Sequence, residues 1–399
     1  MKRLANLKID PGEVDAVLRD LVAIPSVNPA FAGGTGEAGV AAYAADYLRR
    51  NGALVEEQPV LPGRSNVLGR LPASEDGPML LLEAHMDTVQ TTGMTVDPFA
   101  GRIEDGRLYG RGACDTKASL AAMLVAVGTL GRSGGSLPTG VHLAAVVDEE
   151  VEYRGVSVLA GAISAGRLRV DAAVVGEPTE LHRVVAHKGC VRFHIEVRGM
   201  SGHSSEPAKG INAIQSMAEV LSFLRNEIEP GYEALRHAWV GPPTHCVSEI
   251  VGGDAPNTIP GFCRVTVDRR TVPGEDPLAV RAALEERLHG LARRTPGLSL
   301  TVGKPFIVDY AMEVDPRSPI VRRLEAATEK FAAGKRNLGA AYGTDASKLA
   351  RVGVPTVVFG PGSIAQAHTS DEWVSLAETR TAAATLLDLI VHYREDEET

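Results

Sequence analysis

The feature that most restricts the fold of this chain is a series of short, unbroken apolar runs, each followed closely by a histidine or a carboxylate. Met79-Leu80-Leu81-Leu82 leads to His85-Met86-Asp87, residues 141–147 lead to Asp148-Glu149-Glu150, and Ala172-Ala173-Val174-Val175 leads to Glu177. A fourth run, Pro355-Thr356-Val357-Val358-Phe359, has His368 beyond it, across Gly360-Pro361-Gly362. A strand that is apolar at every position must be covered on both faces, which is the pattern of a parallel sheet. Helical signals accompany the runs: residues 14–24, stopped by Pro25 and Pro29; 40–51, ended by Gly52; 117–130, closed by Gly131; and 378–393. Strands alternating with helices predict an α/β catalytic domain with a mixed, largely parallel sheet covered by helices.

The middle of the chain obeys a different rule. Residues 190–197 alternate apolar and polar in strand fashion, and 210–227 are helical. Strands at 245–251 and 262–270 flank a Gly/Pro/Asn turn, followed by a helix at 278–292 and a strand at 298–302. The order β-α-β-β-α-β predicts a small two-layer, ferredoxin-like α+β domain. The expected organisation is a catalytic domain from 1–186 and 304–399, interrupted by an inserted domain at 187–303. A length of 399 residues suits two cores better than one.

Composition excludes several functions. A net charge of −9 with no basic run disfavours nucleic acid and anionic lipid as partners. The first 20 residues have no apolar core of signal-peptide length, and no stretch approaches the ~20 apolar residues of a membrane span. The expectation is a soluble, cytoplasmic protein whose acidic end, 394–399, is a solvated tail. Cys114, Cys190, Cys246 and Cys263 are widely spaced without a Cys-x-x-Cys pair, which argues against disulfides or a thiolate zinc site.

In an open α/β sheet, ligands bind outside the carboxyl ends of the strands. His85, Glu150, Glu177 and His368 all lie just past strand signals, and Asp115 sits in a Gly-rich loop, Gly110-Arg111-Gly112-Ala113-Cys114-Asp115, that opens a long helix. Singly each is ordinary: a His-x-Asp is often a satisfied pair, and an Asp before a helix is often its cap. Together they predict a metal centre. Imidazole and carboxylate ligands without thiolates fit zinc, and also manganese or cobalt. Two ions ~3.5–4 Å apart need a bridging carboxylate and nearly symmetric terminal ligands. Asp115 as the bridge, His85 and Glu177 on one ion, and Glu150 and His368 on the other meet that need. Asp87 would hold the His85 ring from behind. Glu149, beside a ligand but not needed as one, would be the general base that takes a proton from metal-activated water and passes it to a leaving nitrogen.

These residues, in this order, resemble the zinc hydrolase family of acetylornithine deacetylase, succinyl-diaminopimelate desuccinylase, aminoacylase and glutamate carboxypeptidase. The resemblance runs from about Leu21 to Trp373. It is carried by the pieces above and by His187-Lys188-Gly189, Ser201-Gly202-His203-Ser204-Ser205, Asn257-Thr258-Ile259-Pro260 and Asp268-Arg269-Arg270. The 360–368 run is most similar to the acetylornithine deacetylase branch. The resemblance implies a two-zinc amidohydrolase that removes the acyl group, acetyl above all, of an N-acyl-amino acid such as N2-acetylornithine. It further implies that the inserted domain is a lid that pairs two subunits in a homodimer. His203 then matches a lid histidine that enters the partner's site and steadies the oxyanion. Asn257 and Arg270 match positions that grip the substrate, with Arg269 pointing to the opposite strand face. Gly343-Thr344-Asp345 resembles a loop near the second metal, which makes Asp345 a site-lining candidate. Thr116 departs from the pattern, since relatives often carry Met there.

Three alternatives compete. A metallo-dipeptidase, carboxypeptidase or desuccinylase would use the same metals and base. A non-catalytic binding protein on this fold is disfavoured by the presence of Glu149 and every ligand. A nucleotide-dependent enzyme is disfavoured because the Gly110-x-Gly112 loop lacks the third glycine and the acidic ribose partner.

Overall fold

In the computed structural model of the chain, residues 4–74, 77–134 and 136–396 are described. They divide into two units, one of Met1–Val185, Glu313–Leu338 and Thr344–Thr399, the other of Ala186–Met312 and Gly339–Gly343.

The larger unit is built on a mixed sheet. Its centre is parallel: Gly140–Val146, Met79–His85, Ala172–Val175 and Thr356–Val358 lie side by side in that order. Every residue of these four strands is buried. Antiparallel strands flank the centre. The hairpin Leu54–Leu61/Arg64–Leu71 joins Gly140–Val146 on one side, and Arg183–His187 joins Thr356–Val358 on the other. The sequence reading passed over both. Leu54–Leu61 is mostly exposed and alternates weakly, so it carries no long apolar run to find.

Helix Pro11–Ala23 starts where Asp10 accepts the Gly12 N–H and Pro11 supplies a fixed φ at the first position. Helix Ala118–Arg132 is buried from Ala118 to Leu130, and it packs against Pro11–Ala23, Ala38–Arg50 and Leu376–His392. Here the sequence expectation needs correction. The 20-residue stretch Ala113–Arg132 is long and apolar enough to cross a membrane, yet it is buried inside the unit from Ala113 to Leu130. A helix apolar on all sides is a core helix whenever other elements surround it.

The smaller unit is a sheet in the order Thr244–Gly252, Phe262–Thr271, Gly189–Arg198, Ser299–Val302, all antiparallel, with Ile307–Asp309 also on Gly189–Arg198. Val191, Phe193, Ile195 and Val197 face the helices Ala213–Phe223 and Pro277–Arg294 in one apolar core, while the intervening side chains make the open face. This unit extends past 303 because Ile307–Asp309 pairs with its central strand. It also takes in 339–343, where Gly343 packs on Asp309 and Lys188 so closely that no Cβ would fit. At the chain's end Tyr393–Asp396 makes a 3-10 turn, and the rest of the acidic tail, 397–399, lies outside the described residues.

Candidate metal centre

Because the central strands are parallel, their carboxyl ends share one rim. His85 is the last residue of Met79–His85. Glu149 and Glu150 follow Gly140–Val146 by three and four residues, and Glu177 follows Ala172–Val175 by two. Asp115 arrives from the turn before Ala118–Arg132, where φ −119°, ψ 94° takes the chain off the helical path. His368 comes from the loop after Thr356–Val358, with φ 62°. His85 Nε2 is 3.1 Å from Asp115 Oδ1, and His368 Nε2 is 3.3 Å from Asp115 Oδ2 and 3.2 Å from Glu150 Oε1. Two triads result, His85–Asp115–Glu177 and Asp115–Glu150–His368, each with donor atoms within 4.8 Å of one another and sharing Asp115. Either could hold a divalent ion, and the shared carboxylate presents one oxygen to each. Glu149 Oε2 stands 4.0 Å from His85 Nε2.

Charge in this rim is unbalanced. Burial pushes Glu149 and Glu177 well above the usual carboxyl range, and Glu150 to about 6. Burial also opposes charge on Asp115, but hydrogen bonds from His368 and His85 outweigh it and hold its carboxyl low. The same contacts with Asp115 and Glu150 lift His368 to about 10. For His85, desolvation favours the neutral ring, yet Asp115, Glu149 and Asp87 prevail and keep the ring well above its ordinary value. With all four carboxyls ionised, two imidazoles leave negative charge that a pair of divalent cations would offset. Asp345 is 1% exposed, and its carboxyl lies beside that of the equally buried Glu83. The two interact through charge and a side-chain hydrogen bond. Burial pushes both up, Asp345 to about 6, and their mutual repulsion adds to the rise of Glu83.

Asp87 does something other than the sequence suggested. The His85 Nδ1 is held at 3.0 Å by the main-chain carbonyl of Asp87, with the nearest carboxylate oxygen at 3.7 Å. The carboxylate instead accepts the N–H groups of Glu149 (3.0 Å) and Glu150 (3.2 Å) and the amide of Asn28 (2.7 Å). The preceding residue, Asp148, has φ 70° and donates its N–H to Glu37 (3.2 Å). Its own carboxylate takes hydrogen bonds from Asn28 and Arg64, both at 3.0 Å. So three successive N–H groups of the turn end on buried carboxylates, and each would otherwise cost about 1–3 kcal/mol unpaired. Asn28, Glu37 and Arg64 escaped the sequence reading; they lie in loops and at a strand start with no spacing that links them to the turn.

The loop of Asp115 is held in the same way. Glu372, fully buried, accepts from Arg111 Nη1 (2.6 Å), Gly112 N (3.1 Å), Cys114 N (2.9 Å) and Asp115 N (3.1 Å). Thr116 donates its hydroxyl to the carbonyl of Gly176, next to Glu177 (2.9 Å), which gives the departure from the family pattern a physical place. Lys117 points the other way, onto the carbonyls of Leu21 and Ile24, and burial brings its pKa down to about 7.

In the smaller unit, His203 is exposed, and its Nδ1 lies 2.7 Å from Ser205 Oγ and accepts the Ser205 N–H at 3.2 Å. With Nδ1 accepting, the neutral ring carries its proton on Nε2. Asn257 is brought beside it: its carbonyl accepts the Ser204 N–H at 3.0 Å, and His203 bridges Thr258. Arg270 is half-buried and shares Asp268 Oδ2 with Arg192, both at 3.0 Å. Arg269 points the opposite way, paired with Glu275 and stacked 4.6 Å from the Tyr232 ring centre.

Comparison with known proteins places this geometry. Residues 81–392 match Peptidase family M20/M25/M40. Acetylornithine deacetylase of Erwinia tasmaniensis is 35% identical over 357 residues, which is 87% of this chain and 88% of that protein. The enzyme of the same name from Pectobacterium carotovorum is 34% identical over 85% and 86%. In fold, the chain resembles aminopeptidase PepT of Bacillus cereus, with a TM-score of 0.78, 22% identity and coverage of 96% and 99%. It also resembles a dinuclear metal-binding peptidase of the M20 family from Bacillus subtilis, with a TM-score of 0.71, 18% identity and coverage of 96% and 98%. The chain is a metal-dependent hydrolase and belongs to peptidase family M20/M25/M40.

Proposed function

We propose that the protein is a two-zinc amidohydrolase that releases the acyl group, acetyl above all, from an N-acyl-amino acid such as N2-acetylornithine. The observation that carries the reading is Asp115, whose two oxygens face His85 and His368 at 3.1 and 3.3 Å, one toward each triad. When bound, two divalent ions would polarise the scissile carbonyl and acidify the attacking water. Zinc suits the donor set best, with cobalt or manganese as substitutes. His85 and Glu177 would hold one ion, and Glu150 and His368 the other. Glu149, 4.0 Å from His85 Nε2 and not needed as a ligand, would be the base that takes a proton from water and returns it to the departing amine. Likeness to two acetylornithine deacetylases at 34–35% identity favours the acetyl group.

We place the smaller unit as a lid that pairs two subunits. Its outer strand Thr244–Gly252 is exposed along an edge, with Ile250 58% and Val251 56% accessible, an apolar edge that favours pairing. His203, with Nε2–H free to donate, suits an oxyanion donor in the partner's site, and Asn257 and Arg270 suit the substrate's carboxylate or carbonyl. The four cysteines are all free thiols, which supports a reducing, cytoplasmic setting.

The test is hydrolysis of N-acetyl-, N-succinyl- and N-formyl-amino acids against a set of dipeptides, with zinc, cobalt or manganese added. Preference for N-acetyl substrates supports the reading. Preference for dipeptides or N-succinyl substrates overturns it in favour of a peptidase or desuccinylase.

A further inference from the structure

Asp115 is tied down from two sides, and we propose that Glu372 and Thr116 are positioning residues that each set one half of the metal centre. This inference rests on the two-ion reading above. The 110–115 loop enters the rim without a strand or helix to pair its N–H groups. Glu372 takes three of them, those of Gly112, Cys114 and Asp115, and also the guanidinium of Arg111. The two oxygens divide this work evenly, Oε2 for Arg111 and Gly112, Oε1 for Cys114 and Asp115.

Glu372 also belongs to the segment that delivers His368. Gly110 donates its N–H to the Glu372 carbonyl at 3.0 Å, and Arg111 Nη2 reaches the Thr369 carbonyl at 3.3 Å. The adjoining strand Trp373–Ser375 pairs with Arg107–Tyr109, which leads into the same loop. Glu372 therefore fixes the main chain of the bridging carboxylate relative to the loop of His368. Thr116 does the matching task on the other side. Its hydroxyl hydrogen bond to Gly176 ties the residue after Asp115 to the residue before Glu177. The distance from Asp115 to His368 is thus set by one tether, and that from Asp115 to Glu177 by the other.

A Gln at 372 keeps the size of the side chain but turns an NH2 group toward two N–H donors, so half of the cradle becomes repulsive. Changing a group behind a ligand commonly costs ~10–100-fold in metal affinity. Glu372→Gln should weaken the ion held by Glu150 and His368 by that factor and leave the other near wild type. Thr116→Val should do the reverse. Zinc titration of the metal-free, full-length protein by calorimetry separates the two classes. Adding Glu372→Gln to His368→Ala should cause little further loss, because both act on one half.

Amide exchange of the metal-free protein supplies a readout that needs no ion. Glu372→Gln should speed exchange at 112–115 while leaving 175–177 unchanged. Should that variant not fold, Arg111→Lys loosens the same loop through its lost contact with Thr369 and should show the same selectivity. Equal weakening of both ions, or unchanged exchange at 112–115, overturns the inference. A wild-type protein that binds a single ion overturns the two-ion reading instead, and the exchange result still judges the tether.

Discussion

The carboxylate of Asp87 receives the backbone N–H of Glu149 at 3.0 Å, so this side chain supports the turn of the proposed base while the main-chain carbonyl of the same residue holds the His85 ring. This makes a prediction. Asp87→Asn should keep metal content, because the His85 ring is held by the main-chain carbonyl at 87. It should lower kcat ~10–100-fold, the usual cost of disturbing such a supporting group. Metal analysis beside steady-state kinetics decides it; loss of metal in this variant would return Asp87 to the role of ring holder.

Glu149 and Glu150 should separate cleanly. Glu149→Gln is expected to retain both ions and bind substrate while losing at least ~10²-fold in rate, the scale of a positioned base. Glu150→Gln should lose metal from the His368 side. Dialysis against a chelator should abolish turnover of the wild type, and zinc or cobalt should restore it. The opposite assignment of metal loss between the two variants would reverse their roles.

His203→Ala should remain folded and metal-loaded yet slow by ~10²–10³, the cost of a missing oxyanion donor. If His203 serves the partner's site, mixing this variant with Glu149→Gln under subunit exchange should regain activity. Each hetero-dimer would then hold one site with an intact base and an intact partner histidine. Exchange verified by native mass spectrometry with no recovery would confine His203 to its own subunit or remove it from catalysis.

Acid stability should carry a signature of His142. It lies in Gly140–Val146 opposite Arg70, and burial followed by that guanidinium depresses its pKa from 6.5 to about 4. The folded chain therefore holds the ring neutral where the unfolded chain would protonate it. Stability from this group is complete above pH ~6.5 and falls as the pH drops toward ~4, by up to about 3 kcal/mol. His142→Gln should flatten the stability–pH curve across that window in chemical denaturation; an unchanged slope would exclude the effect.

The parallel centre of the large sheet was legible because its strands are apolar at every position and each ends at a chemically conspicuous residue. Three of the ligand candidates, His85, Glu150 and Glu177, could be found for the same reason, since a strand end in such a sheet is a fixed place on one rim; Asp115 and His368 come from loops beside it. What stayed hidden is the apparatus behind them. Glu372 and Glu37 accept main-chain N–H groups, and Arg64 and Asn28 donate to the carboxylates that support the turn; such long-range contacts leave no trace in residue spacing. The hairpin Leu54–Leu61/Arg64–Leu71 stayed hidden because one of its strands is largely exposed, so no apolar period marks it. The burial of Asp345 beside Glu83 is a tertiary fact that a loop motif does not contain.

The strand Thr356–Val358 lies between Ala172–Val175 and Arg183–His187, and this has a consequence for how the chain is made. From Val175 to Thr356 is 181 positions, so a ribosome adding ~5–20 residues per second leaves the middle of that sheet open for roughly 10–35 s. During that interval two apolar strand edges have no neighbour, and exposed edges of this kind attract other chains. A nascent chain stalled between 344 and 355 would carry the smaller unit complete and the larger one split at its centre. Production of truncated forms should therefore yield aggregates from any version ending between 312 and 355, whereas 186–312 expressed alone has every strand of its own sheet.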